Sequence, residues 1–163
     1  MVVSIFKRKA KSDSAEIAQA LLNEFVENTT FDDRPKLALS ADIEPRYRAK
    51  SRMYRIAIVL MALMAQEQKN RKFAQVRENF EILVFPGSQA KSLRFIGSVK
   101  SAMQNLSELF FPADKPREMS WAKAWLDDIG VIEINPIDLS LFAMRWMDSY
   151  MMIVKVLGDV KPS

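Results

Sequence analysis

The chain has 163 residues, 49% of them hydrophobic and 27% charged, with only 4 glycines, a composition typical of a globular domain without the many tight turns of an all-β fold. It contains no cysteine and no histidine, which excludes disulfides, thiol nucleophiles, histidine-dependent catalytic triads and zinc sites with nitrogen or sulfur ligands. The formal charge of +4 is a modest excess, but its uneven distribution favours polyanionic partners.

Residues 1–12 form a predicted basic N-terminal arm, in which a short apolar stretch precedes four cations. Such an arm can contact a membrane surface or nucleic acid, and the alternative is a frayed, solvated terminus. Asp13 with Glu16 three residues later resembles a capping pair, and apolar residues then recur at helical spacing. We therefore predict a first helix to about Asn28, followed by a loop over residues 29–44.

A long second helix is predicted to begin between Pro45 and Ser51 and to end near Lys69. Its run at 56–65 has no polar side chain and is half of the ~20 residues that span a membrane, so we expect a soluble, cytoplasmic protein. Asn70 is a candidate cap for a third helix. One side of that helix carries the apolar residues Phe73, Val76, Phe80 and Leu83. Its end at 81–85 has strand-like composition, and Pro86 with Gly87 marks a break.

Ser88 is a candidate cap for a fourth helix running to Phe111. Its apolar residues recur three and four apart, as in a helix that packs along another in a bundle: Ile96, Val99, Met103, Leu106 and Phe110. Asp114 or Ser120 is expected to cap a short fifth helix that ends at Gly130. Residues 131–134 are compatible with a short strand.

Asn135 and Pro136, with Asp138 in the first turn, indicate a strong start for the last helix. Polar residues on this helix fall on one narrow stripe, so we expect most of its circumference to be covered by protein. The predicted fold is a mainly α, single-domain bundle of five to six helices, with the option of a minor two-stranded β piece. The helical domain spans residues 13–158, and residues 159–163 form a tail.

Two clusters of cations flank the apolar run of the second helix. The first, here the basic segment, contains Arg46, Arg48, Lys50, Arg52 and Arg55; the second basic cluster contains Lys69, Arg71 and Lys72. Positive charge at a helix N-terminus opposes the helix dipole, which suggests that it serves a partner such as nucleic acid or, second, an anionic membrane surface. The alternative is a solvated surface balanced by nearby acidic residues.

Apolar residues with partner-binding potential are also present. Trp121, Trp125 and Trp146 either form a docking anchor for a partner protein or pack together in the core. The chain has 10 methionines, which suit adaptable grooves, although helical spacing favours a core role for most of them.

No cofactor is expected, and any metal site would need carboxylates alone, which suits Mg²⁺, Mn²⁺ or Ca²⁺. The acidic pairs at 32–33 and 127–128 do not converge, since adjacent residues of a helix diverge by about 100°. We therefore predict a non-enzymatic assembly, scaffold or adaptor protein that self-associates or binds a protein partner and contacts a polyanion. The alternatives are a purely protein-binding module, such as a chaperone or inhibitor, and a small magnesium-dependent enzyme.

Overall fold

Six α-helices make up most of the part of the chain that a computed structural model describes, residues 13–28, 39–85, 87 and 90–163. They are α1 (Ser14–Leu21), α2 (Glu44–Lys69), α3 (Phe73–Val84), α4 (Ala90–Phe110), α5 (Glu118–Asp127) and α6 (Pro136–Gly158). A π-helical segment, Leu22–Glu27, continues α1 directly. This mainly α bundle confirms the predicted fold class. The N-terminal arm, most of the predicted 29–44 loop and the Ser88 cap lie outside the described residues.

Helix α2 lies at the centre of the bundle. Its apolar run is buried at nearly every position: Ile56, Ala57, Ile58, Val59, Leu60, Ala62 and Leu63. Because helical side chains project in all directions, a continuous apolar run requires neighbours on several sides. Helices α3, α4 and α6 and the π-helical segment supply them, while α1 packs on α3 and α5 packs on α6.

Buried polar side chains connect these helices. Tyr54 of α2 donates its hydroxyl to Asn105 Oδ1 of α4 at 3.0 Å, and Trp121 Nε1 of α5 donates to the Asn105 carbonyl at 3.1 Å. Gln66 of α2 is buried and donates to the Val154 carbonyl of α6 at 3.2 Å. These bonds fix the helices relative to one another, since a buried polar group without a partner is costly.

Two of the predicted helix caps are confirmed, and those of α3 and α5 are wrong. Helix α3 follows Lys72 without a side-chain cap, while Asn70 Oδ1 accepts from the Lys72 N–H at 3.1 Å ahead of the helix. Asp13 accepts a hydrogen bond from the Ala15 N–H at 3.3 Å, and Asn135 Oδ1 accepts from the Asp138 N–H at 2.9 Å. Helix α5 instead follows Arg117, which makes no side-chain cap. The Ser120 hydroxyl donates to the Arg117 carbonyl at 3.0 Å, inside the first turn, so neither Asp114 nor Ser120 is the cap.

The predicted β piece is absent from the described residues, where no strand forms. Residues 81–84 complete α3, because Phe80 and Val84 extend its buried face. Leu83, assigned to that face from the sequence, is 38% exposed. Residues 131–134 are non-helical, and they follow a turn in which Gly130 adopts a φ of +95°. Gly130 thus ends the α5 region as predicted, because that φ favours glycine.

The expectation that protein covers most of α6 is wrong for the described chain. Three apolar side chains of α6 are about half or more exposed: Ile137 at 73%, Met144 at 49% and Met151 at 62%. Only the opposite face, with Phe142, Trp146 and further apolar residues, is buried. Among the described residues, no helix has the combination of length and hydrophobicity needed to cross a bilayer.

Candidate functional site

Carboxylates of the same chain neutralise part of the basic segment. Arg48 Nε lies 3.0 Å from Glu44 one turn earlier on α2. Arg52 directs both Nε and Nη2 at one oxygen of Glu27 in the π-helical segment, at 3.1 Å and 2.6 Å. Each pair removes a positive charge from the field available to a polyanion.

Lys50 is largely enclosed, with 13% of its side chain exposed. Its ammonium donates to Asp128 Oδ2 at 2.8 Å and to the Trp125 carbonyl at 2.9 Å. The same Nζ lies 4.6 Å from the Trp125 ring centroid and 5.8 Å from that of Tyr54, within the range of cation–π attraction. Lys50 therefore fastens α2 to the end of α5.

The two remaining cations of the basic segment lie in different environments. Arg46 is exposed beside the turn at Gly130, with Nη1 3.9 Å from the point where a Cβ on that glycine would stand. A hydrogen bond with the Ser40 side chain and, to a smaller extent, the charge of Arg46 lower the pKa of the Asp42 carboxyl. Arg55 is half-buried. The basic segment is thus distributed around α2 rather than gathered into one strip.

The second basic cluster has a different character. Lys69, Arg71 and Lys72 are all exposed where α2 ends and α3 begins. Within the described part of the chain, none of these side chains has an ion-pair partner. Of the two predicted clusters, this one keeps all of its positive charges without an ion pair among the described residues.

The three tryptophans occupy the interior. Trp121, Trp125 and Trp146 are 7%, 2% and 1% exposed and form one aromatic group with Tyr54 and Phe142. The sequence left core packing and a docking anchor as alternatives, and these positions are those of core packing. Burial, with a smaller contribution from the charge of Asp128, raises the pKa of Tyr54 to about 12, which keeps its hydroxyl neutral.

An open groove of about 1100 Å³ lies over α2, between α3 and α4. Its apolar side chains come from all three helices: Leu60, Met64, Phe85, Ile96, Val99 and Met103. Met64 is 48% exposed there, so this methionine lines a surface rather than filling the core. The volume of the groove lies just above the roughly 300–1,000 Å³ of most small-molecule pockets, which favours a macromolecular segment as its occupant.

Arg77 of α3 binds the two acidic side chains that line the groove, Glu67 and Glu81. Its Nε donates to Glu67 of α2 and its Nη1 to Glu81 of α3, both at 2.8 Å. The Arg77 hydrogen bond lowers the pKa of the Glu67 carboxyl, and the two carboxylates raise the pKa of Arg77. Both acids are therefore hydrogen-bonded to one guanidinium, the three groups together carry a net charge of −1, and the other two cations of the groove bring the total for its lining to +1.

Those cations are Arg71 and Lys100, which also line the groove. Both are exposed, and neither has an ion pair within the described residues. Arg71 belongs to the second basic cluster, so the groove continues at this point into an exposed positive surface. The arrangement can bind an apolar helix face together with adjacent negative charge.

Sequence reasoning identified Arg71 but missed Lys100 and the groove itself. Met64 and Met103 were the available signal, since methionines at partly exposed helical positions suit adaptable binding surfaces. Lys100 is the only charged residue between Arg94 and Glu108 in the sequence, and only the packing of α4 places it in the same groove as Arg71.

Comparisons with protein-family models, with curated proteins and with solved structures found no match for this chain. Among the described residues, no group of three or more acidic side chains is placed to hold a metal ion. The groove and the second basic cluster are therefore the candidate functional features of the described chain.

Proposed function

We propose that the protein is a non-enzymatic adaptor that holds an acidic amphipathic helix of a partner protein in the groove formed by α2, α3 and α4. The observation that carries the proposal is the pairing of an open apolar floor with two exposed cations, Arg71 and Lys100, that form no ion pair among the described residues. An amphipathic helix presents apolar anchors at i, i+3 or i+4 and i+7 along one face, and an apolar groove lined by three helix segments can receive them. Acidic residues flanking those anchors complement the cations.

The lining of the groove indicates how apolar contacts and charge pairs divide the binding free energy of such a helix. Contact with its apolar side chains supplies most of the affinity, at roughly 25 cal/mol for each Å² of apolar surface buried. Exposed charge pairs contribute about 0.2–1 kcal/mol each, so Arg71 and Lys100 set orientation and association rate more than affinity. Met64 and Met103 can change rotamer at low cost, which allows partners of differing side-chain size.

The test is a selection from a displayed library of amphipathic helical peptides whose flanking positions are randomised. We expect enrichment of Asp and Glu at the flanks. Selected peptides should lose about tenfold in affinity to R71E/K100E, which reverses two weak charge pairs. M64E, which places a charge on the apolar floor, should abolish binding.

K115E/K161E is the matched control, because it changes the net charge equally at exposed positions outside the groove. Selected peptides should bind this control as they bind the parent protein. Enriched peptides without acidic bias, or with undiminished affinity for both R71E/K100E and M64E, would refute the adaptor proposal.

The competing function is direct polyanion binding by the second basic cluster, favoured by three exposed cations within four residues that have no ion pair in the described part of the chain. A single-stranded RNA, a duplex DNA and phosphatidylserine vesicles are the probes, each measured across a salt series. Binding that weakens steeply with salt, falls in K69Q/K72Q and is unchanged in M64E would favour the polyanion and displace the peptide groove as the main site.

A further inference from the structure

Helix α6 carries an exposed face on the side away from the core. Met144, Met151 and Met152 are 49%, 62% and 38% exposed, and Asp148 and Lys155 share the face with them. Successive steps of four, three and four residues between positions 144, 148, 151 and 155 keep these side chains on one stripe. The face is apolar at its centre and carries one charge of each sign.

Asp148 and Lys155 have no ion pair within the described residues, although both are exposed. They lie seven residues apart, about 10.5 Å along the helix axis at 1.5 Å per residue. The intervening Met151 and Met152 separate the two charges symmetrically. The face is therefore self-complementary about a point between these two methionines.

We propose that this face binds a second copy of the chain through antiparallel pairing of the two α6 helices. A two-fold axis between Met151 and Met152 places Asp148 of each copy opposite Lys155 of the other. The methionines meet at the axis, and two opposite-charge pairs flank them. Parallel pairing would instead oppose like charges, and the antiparallel arrangement also aligns the helix dipoles favourably.

Charge complementarity favours a second copy over an unrelated partner, because α6 carries both the acid and the base that the two pairs require. Gly158 leaves space for the second copy, since apart from its chain neighbours and the adjacent backbone of α6 no described atom lies within 4 Å of the position that a Cβ would occupy there. In this register Met144 of one copy lies beside that open position of the other. The face is on α6, whereas the proposed peptide groove is formed by α2, α3 and α4.

Sedimentation equilibrium from micromolar to near-millimolar protein is the first measurement. The average mass should rise with concentration toward that of a dimer, and M151E should hold the protein as a monomer. I137S is the control, because Ile137 is 73% exposed but lies beyond the helical overlap in this register. A monomeric parent protein, or dimerisation that survives in M151E, would overturn the proposal.

Charge reversal then tests the register. D148K and K155D should each dimerise more weakly than the parent, because each opposes like charges at both flanks. Mixing D148K with K155D should restore association as a heterodimer, about tenfold stronger than either variant alone, since both pairs become complementary. Circular dichroism should confirm that these exposed substitutions preserve the helices. An unchanged mixture would exclude the antiparallel register.

Discussion

Replacing Lys50 by methionine separates a structural role of the basic segment from a docking role. Methionine keeps an apolar stem of similar length but removes the ammonium, which donates to Asp128 and to the Trp125 carbonyl and lies over the Trp125 ring. If Lys50 fastens α2 to α5, K50M should destabilise the fold. If Lys50 serves only a polyanion, K50M should leave stability unchanged.

The magnitude follows from the contacts. A hydrogen bond to a charged group contributes about 1.5–3 kcal/mol, and a cation–π contact about 0.5–2 kcal/mol. Removing the ammonium also removes its desolvation cost, so the net loss in K50M should be about 2 kcal/mol rather than the sum. For a chain of this length, that corresponds to a fall in Tm of about 4–8 °C.

Urea unfolding followed by circular dichroism measures the free energy of unfolding of each variant. K69M is the matched control, because Lys69 is exposed, and it should remain within about 0.5 kcal/mol of the parent. D128N should cost less than about 1 kcal/mol, because Asp128 is 72% exposed and regains water readily. A K50M protein as stable as K69M would refute the structural role of Lys50.

Three further predictions concern the groove and the helix ends. R77Q should raise the pKa of Glu67 toward its ordinary value of 4.5, measured by NMR titration of the carboxyl carbon. Because the folded pKa of Glu67 is lowered, its stabilising contribution is present above pH 4.5 and lost as pH falls through the folded pKa. The difference in free energy of unfolding between the parent protein and R77Q should therefore become smaller as the pH falls. A difference that stays constant with pH would count against the Arg77–Glu67 ion pair. G130A should lower the free energy of unfolding by about 1 kcal/mol, because φ at Gly130 is +95°. G97A should raise the free energy of unfolding by up to about 1 kcal/mol, because Gly97 lies in a helix with open space at the Cβ position. Thermal melts of the two variants and the parent protein measure both changes. N135A should cost about 1 kcal/mol in urea unfolding by removing the α6 cap, and a neutral result would show the cap to be dispensable.

Local signals in the sequence predicted most of the helical structure. The Asn135 cap, the apolar run of α2 and the spacing of Val99 and Leu106 each depend on residues within one or two turns, so they can be recognised without tertiary information. Residues 81–84 were ambiguous because β-prone composition competed with the helical spacing of Phe80 and Val84. In the folded protein these residues are helical and belong to α3, which packs on the neighbouring helices.

The candidate sites depend on contacts between distant parts of the chain, which sequence spacing cannot supply. Lys50 and Asp128 are separated by 78 residues in the sequence, and Arg52 and Glu27 by 25. Neighbouring residues in the sequence therefore could not show that these cations of the basic segment are neutralised. Glu44 was the exception, because it precedes Arg48 by one helical turn. The groove likewise requires α3 and α4 to flank α2 with a gap between them.

The buried aromatic group makes tryptophan fluorescence a reporter of one region of the protein. All three tryptophans lie on α5 and α6, and the Trp125 and Trp146 rings are 6.1 Å apart between centroids. Their emission should therefore be blue-shifted and shared by energy transfer. It will report separation of α5 and α6 from α2 while remaining insensitive to ligands at the far side of α3. If the midpoint of a thermal melt followed by tryptophan fluorescence differs from that followed by far-ultraviolet circular dichroism, α5 and α6 separate from α2 at a different temperature from that at which the helices as a whole unfold.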